Sequence, residues 1–197
     1  MEIDFKILTP EKFEYLIKDI FIEFQNQYHK GKNKEFPILN IESPGRGQDK
    51  GIDLKIITRI FDGICYFERL WIVQCKHFAK SNKSVSESDL DKSCRFKNVV
   101  DKTNADGYLL ICSTRPSSSL KETFDDLTKI NDKIKYIVWG ENEVKNLIIK
   151  MPTIIKKYFL KYHYYIENLK KIYPKKVLKN NCSKKLHSLN NSIKQFE

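Results

Sequence analysis

The chain has 197 residues, 41% of them hydrophobic, which is enough for one substantial core. No apolar run approaches the roughly 20 residues needed to cross a bilayer, and Met1-Glu2-Ile3-Asp4 lacks a basic region leading into an apolar one, so a cytoplasmic protein without membrane contact is expected. The net charge of +11 is unevenly placed, because residues 1–141 carry 23 basic and 22 acidic side chains while residues 142–197 carry 13 lysines against three glutamates.

In chain order, Thr9-Pro10-Glu11 opens a helix with proline at its first position, and Phe13, Leu16, Ile17, Ile20, Phe21 and Phe24 form its apolar stripe. Phe36 to Ile41 reads as a strand and Pro44-Gly45-Arg46-Gly47 as a loop. Strands follow around residues 51–60 and 67–77, with Asp62-Gly63 as the turn that lets them pair. Ser86-Glu87-Ser88-Asp89 opens a helix to about Thr103, Tyr108 to Cys112 is a strand, a helix runs from about Ser118 to Ile130, and Lys135 to Trp139 is a final strand. Alternating strands and helices in this order predict an α/β fold, with a mixed central sheet flanked by helices. The serine cluster Ser113 to Ser119 precedes a helix, where its hydroxyls serve as caps, with phosphate binding at the helix N-terminus as the alternative. Cys65, Cys75, Cys94, Cys112 and Cys182 include no Cys-x-x-Cys pair, so neither zinc nor disulfides are expected.

The chemistry concentrates at Gln74-Cys75-Lys76, which ends the apolar run Leu70-Trp71-Ile72-Val73. Strand side chains alternate, so Gln74 and Lys76 project together and Cys75 points the other way. An ammonium among such neighbours needs a carboxylate, a metal-bound water or a phosphate to offset its desolvation, and Asp53 on the paired strand is the candidate acid. A carboxylate and an amide oxygen are hard donors that suit Mg²⁺, with Mn²⁺ as a substitute, and a lysine beside them suits phosphodiester cleavage. Asp49 competes with Asp53, but it lies in a glycine-rich loop where capping a turn is an alternative use.

Phe13-Glu14-Tyr15-Leu16, Gly45-Arg46-Gly47-Gln48-Asp49-Lys50-Gly51-Ile52-Asp53 and Gln74-Cys75-Lys76 together resemble a Mrr-type restriction endonuclease domain of the PD-(D/E)xK nuclease superfamily, in its Gln-x-Lys form. The resemblance covers residues 5 to about 140. It implies that Asp53 and Gln74 hold Mg²⁺, that Lys76 acts on the attacking water, and that Glu14 completes the cluster from the first helix, where an acid also favours the helix dipole. The neutral Gln74 stands where the wider fold has an acid, which leaves one fewer negative charge for the ion. Arg46, Gln48 and Lys50, with His77 and Lys80, are candidate DNA contacts beside this site.

The reading divides the chain into a nuclease core over 1–150, an amphipathic helix over 151–173 and a basic tail over 174–197. Ile155, Tyr158, Tyr162, Tyr165, Leu169 and Ile172 recur at three- and four-residue steps, a seam open to core packing, to a homodimer contact or to base stacking. The C-terminal lysines are open to phosphate-backbone contact or to a merely solvated role. The expected function is a Mg²⁺-dependent DNA endonuclease acting in defence against foreign DNA, as the effector of a sensor or regulatory partner. A noncatalytic nucleic-acid-binding module and a repair or junction-resolving nuclease are the alternatives.

Overall fold

A computed structural model describes residues 2–31, 37–44, 51–91, 96–131 and 133–172 of the chain. The chain divides into two compact units, Asp4–Met151 and a second made of Met1–Ile3 with Pro152–Glu197.

The larger unit is a mixed five-stranded sheet flanked by helices, the α/β class the sequence predicts. Its strands are β1 (Ile38–Glu42), β2 (Leu54–Phe61), β3 (Tyr66–Lys76), β4 (Gly107–Cys112) and β5 (Lys135–Trp139), lying in sequence order across the sheet. β1, β2 and β3 pair antiparallel, whereas β3, β4 and β5 pair parallel. Every residue of β4 is buried, as a central parallel strand covered on both faces requires.

Helix α1 (Pro10–His29) starts as the sequence dictates. Thr9 Oγ1 accepts the Lys12 N–H at 3.2 Å, Pro10 stands in the first turn, and the six apolar stripe residues are all buried. The stripe lies on the face of the sheet that carries Cys75 and Trp139, since Phe21 stacks on Trp139 at 5.9 Å and Phe13 lies 5.2 Å from the His77 ring. The opposite face carries Ile72, Tyr108, Leu110, Cys112 and Tyr136. It is covered by Phe96 and Val100 of α3 (Phe96–Thr103) and by Leu120 and Phe124 of α4 (Ser118–Ile130). The helix expected over 86–103 is described in two pieces, α2 (Glu87–Asp91) and α3. Ser117 caps α4 by accepting the Leu120 N–H at 3.2 Å, so one hydroxyl of the serine cluster does cap its helix.

Helix α5 (Glu141–Ile149) is absent from the sequence reading. Its first turn is closed by the Gly140 N–H donating to Glu143 Oε2 at 2.9 Å, and it buries Val144, Leu147 and Ile148. Gly107 opens β4 directly against Trp71, where an added Cβ would lie 2.4 Å from the indole ring.

In the smaller unit the seam residues do not share one helix. They divide between α6 (Pro152–Tyr158) and α7 (Leu160–Ile172), although the Phe159 N–H still donates to Ile155 O at 2.8 Å and the His163 N–H to Phe159 O at 2.9 Å. Neither proline nor glycine marks the junction at Phe159. No residue of α7 is buried. Among the described residues no helix is long and apolar enough to cross a membrane. The proposed tail over 174–197 lies outside the described residues.

Candidate active site

β2 and β3 pair from Leu54 opposite Val73 out to Phe61 opposite Tyr66. Asp53 immediately precedes the first of these pairs, and two hydrogen bonds tie it to β3. Its N–H donates to Val73 O at 2.9 Å, and its Oδ2 accepts the Cys75 N–H at 2.5 Å. A hydrogen bond to a charged acceptor contributes about 1.5–3 kcal/mol, so the carboxylate is fixed to the strand that carries Gln74 and Lys76.

Burial pushes the Asp53 carboxyl above its ordinary value, opposed by the Cys75 amide and by the positive charge of Lys76. Glu14 stands on α1 with an exposed side chain, yet its carboxyl is also raised, first by desolvation and then by the negative charge of Asp53. The Cys75 thiol is raised well above its ordinary value by burial, then by Asp53, Glu14 and Cys112, so it remains a neutral packing group. Glu14 and Lys76 thus both act electrostatically on Asp53, which is held at the carboxyl end of β3 by the Cys75 amide.

Gln74 is adjacent but turned into the protein. It is 2% exposed, and its Oε1 accepts the hydroxyl of buried Tyr108 on β4. Tyr108 carries no motif of its own in the sequence. Its signal was parity, since Tyr108 opposes Ile72, two residues before Gln74, and therefore shares its face. Beyond Lys76, Ser113 Oγ accepts the N–H groups of Phe78 and Ala79 at 2.9 and 3.1 Å, which fixes the loop leaving β3.

The candidate DNA contacts separate. His77 Nε2 donates to Leu8 O at 3.1 Å, its ring packs on Phe13, and its Nδ1 is buried with no hydrogen-bond partner. Desolvation lowers its pKa and keeps the ring neutral, which suits an internal brace between β3 and the chain before α1. Lys80 is exposed on the loop after β3. Arg46, Gln48 and Lys50, with the competing Asp49, lie outside the described residues.

The cluster offers two carboxylates and an ammonium at a strand end, and the same strand carries the buried amide of Gln74. Oxygen donors of this kind suit a hard cation, and the raised carboxyl of Glu14 beside Asp53 marks a place where added positive charge relieves repulsion. Among the described residues no group of three or more His, Cys, Asp or Glu side chains is placed to hold a metal ion, so a cation here would draw on the amide, main-chain carbonyls or water as well.

No family model matches the chain, and no curated protein matches it. Among solved structures, the DNA modification-dependent restriction endonuclease AspBHI aligns with a TM-score of 0.44 and 11% identity, over 76% of this chain and 38% of that one. The MspJI restriction endonuclease in complex with a 27-mer oligonucleotide aligns with a TM-score of 0.43 and 14% identity, over 69% of this chain and 27% of that one. The chain therefore spans well under half the length of either.

Proposed function

We propose that the chain is a Mg²⁺-dependent DNA endonuclease that hydrolyses phosphodiester bonds, in defence against foreign DNA and as an effector whose specificity comes from a partner. The observation that carries this reading is the Asp53 carboxylate, clamped to the Cys75 amide with Lys76 and Glu14 charged around it. Asp53 and Glu14, with the amide oxygen of Gln74, are the groups that would hold the ion. When bound, such an ion neutralises phosphate oxygens and acidifies a water.

The chain's own residues supply the remainder. The Cys75 amide and the Val73 carbonyl fix Asp53, so its carboxylate needs little reorganisation when substrate arrives. Lys76 puts a positive charge beside the attacking water and the phosphoryl oxygens, where negative charge grows during in-line attack. Cleavage leaves a hydroxyl on one end and a phosphate on the other. One observation favours a noncatalytic DNA-binding module instead: Gln74 is buried and its oxygen already accepts from Tyr108.

Plasmid cleavage with and without Mg²⁺ tests the proposal, comparing the native chain with folded Asp53→Ala and Lys76→Ala variants. Metal-dependent nicking that both substitutions abolish supports it. A native chain that binds duplex but never cuts it, in Mg²⁺ or Mn²⁺ and at high protein concentration, moves the binding module ahead.

A further inference from the structure

Helix α7 is a basic, tyrosine-bearing helix with no buried residue, and neither the core nor the candidate active site accounts for it. Residues spaced three, four, seven, ten and eleven apart share a helix face. On α7 that rule groups Lys161, Tyr164, Tyr165, Asn168, Lys171 and Ile172, and each of them is exposed. The two tyrosines are 60% and 40% exposed, well beyond what a packing stripe leaves to solvent. Half-buried Tyr162, His163, Ile166, Glu167 and Leu169 lie on the remaining surface of the helix.

The exposed stripe carries no acid. Glu167 is the only acidic residue between 152 and 172, against five lysines, and Lys170 engages it at 2.8 Å. Every polar group on the stripe donates hydrogen bonds: two ammonium groups, two phenolic hydroxyls and an amide. These side-chain types contact phosphate and sugar in nucleic-acid complexes. Lys161 and Lys171 stand about 15 Å apart at 1.5 Å per residue, a span of about four phosphates along one strand at 3.4 Å axial spacing. Lysine without arginine supplies positive charge without bidentate base reading.

From this charge complementarity we infer that the exposed face of α7 docks on the phosphate backbone of DNA without reading sequence. The inference rests on the DNA reading given above and extends it to a second contact surface outside the Asp53 cluster. It assigns the strand-holding role to Lys161 and Lys171, with Tyr164, Tyr165 and Asn168 between them.

The test uses the full chain in EDTA, so that no strand is cut, and follows binding to two unrelated fluorescent duplexes by anisotropy across a series of NaCl concentrations. Each lost phosphate contact lowers the slope of log affinity against log salt by about 0.9. The Lys161→Gln/Lys171→Gln double variant is therefore expected to lower that slope by about 2, equally on both duplexes. Tyr164→Phe/Tyr165→Phe keeps both rings and is expected to weaken binding by removing the hydroxyl donors. An unchanged slope in the lysine variant overturns the inference. So does a stripe variant that dissociates a dimer in sedimentation while DNA binding stays intact, because the face would then belong to a second copy. If the native chain cuts plasmid and the slope is unmoved, only the α7 assignment fails. If it neither binds nor cuts, the DNA reading fails with it.

Discussion

The Cys75 N–H donates to Asp53 Oδ2 at 2.5 Å, while burial drives that same carboxyl to retain its proton above the ordinary range. The fold thus holds an acceptor in place and disfavours its charge. Asp53→Asn keeps an oxygen for the Cys75 amide and removes the charge, so at neutral pH it is expected to raise Tm by a few degrees while abolishing cleavage. Mg²⁺ is expected to raise the Tm of the native chain and leave the variant unmoved. Saturation at a hundred times Kd corresponds to about 2.7 kcal/mol. Thermal unfolding with and without the ion measures both effects, and a variant that responds to Mg²⁺ like the native chain removes Asp53 from the ion site.

The pH dependence follows with a definite sign. Asp53 and Glu14 both hold protons more tightly folded than unfolded. From their ordinary values of 3.8 and 4.5 up to the raised ones, the native state binds more protons than the unfolded state, and their contribution to stability falls as pH rises. Asp89 runs the other way. Its carboxyl is lowered to about 2 by bonds to Lys83 and Ser86, so its contribution is lost only as pH falls through the acid range. The informative quantity is therefore a difference. Urea midpoints of native chain minus Asp53→Asn/Glu14→Gln are expected to decline from about pH 4 towards neutrality, and a flat difference would contradict the raised pair.

The positive charge of Lys76 lowers the Asp53 carboxyl, and the proposed mechanism turns the same charge on the scissile phosphate. Lys76→Ala is expected to reduce the cleavage rate about 10²- to 10³-fold, the usual loss when one preorganised charge-stabilising donor is removed. Duplex affinity in EDTA should change by less than tenfold. A rate within twofold of native would exclude Lys76 from the chemistry.

Trp71 and Gly107, paired across β3 and β4, leave no room for a side chain at position 107. A Cβ on Gly107 would sit 2.4 Å from indole carbon, and Trp71 is 3% exposed with its Nε1 donating to Thr58 Oγ1 at 3.2 Å, so the ring has little freedom to retreat. Gly107→Ala is expected to destabilise by about 1–3 kcal/mol, the common cost of overpacking. Chemical denaturation measures it, and a neutral substitution would show that the ring can shift.

The elements with strong local signals were legible in the sequence. Thr9-Pro10 and the Phe13 to Phe24 stripe define α1, and the run into Gln74-Cys75-Lys76 defines β3, because periodicity and capping are local properties. Helix α5 has signals of its own, an acidic first turn and apolar Val144, Leu147 and Ile148, but it follows β5 with only Gly140 between them, so no loop sets it apart. The break at Phe159 had no proline or glycine to announce it. At the site, sequence order paired Asp53 with Lys76, but it could not reveal that Gln74 turns inward to Tyr108 or that His77 braces Leu8 and Phe13. Those partners are 34, 69 and 64 residues distant and meet only through tertiary packing.

The Tyr108 to Gln74 bond gives the most discriminating substitution. Tyr108→Phe removes one hydroxyl and keeps the ring among Phe96, Phe124 and Tyr136, whose centroids lie 5.5, 6.0 and 6.4 Å away. A stability loss of about 1–2 kcal/mol is expected from the lost buried hydrogen bond. If Gln74 supplies an oxygen to the ion, Tyr108 is the group that orients it, and such outer partners carry about 10- to 100-fold in metal affinity. The Mg²⁺ concentration for half-maximal cleavage should then rise at least tenfold, with the rate at saturating Mg²⁺ within a few-fold of native. Should stability fall while the Mg²⁺ requirement stays unchanged, Gln74 is a core amide, and Asp53 with Glu14 must hold the ion without it.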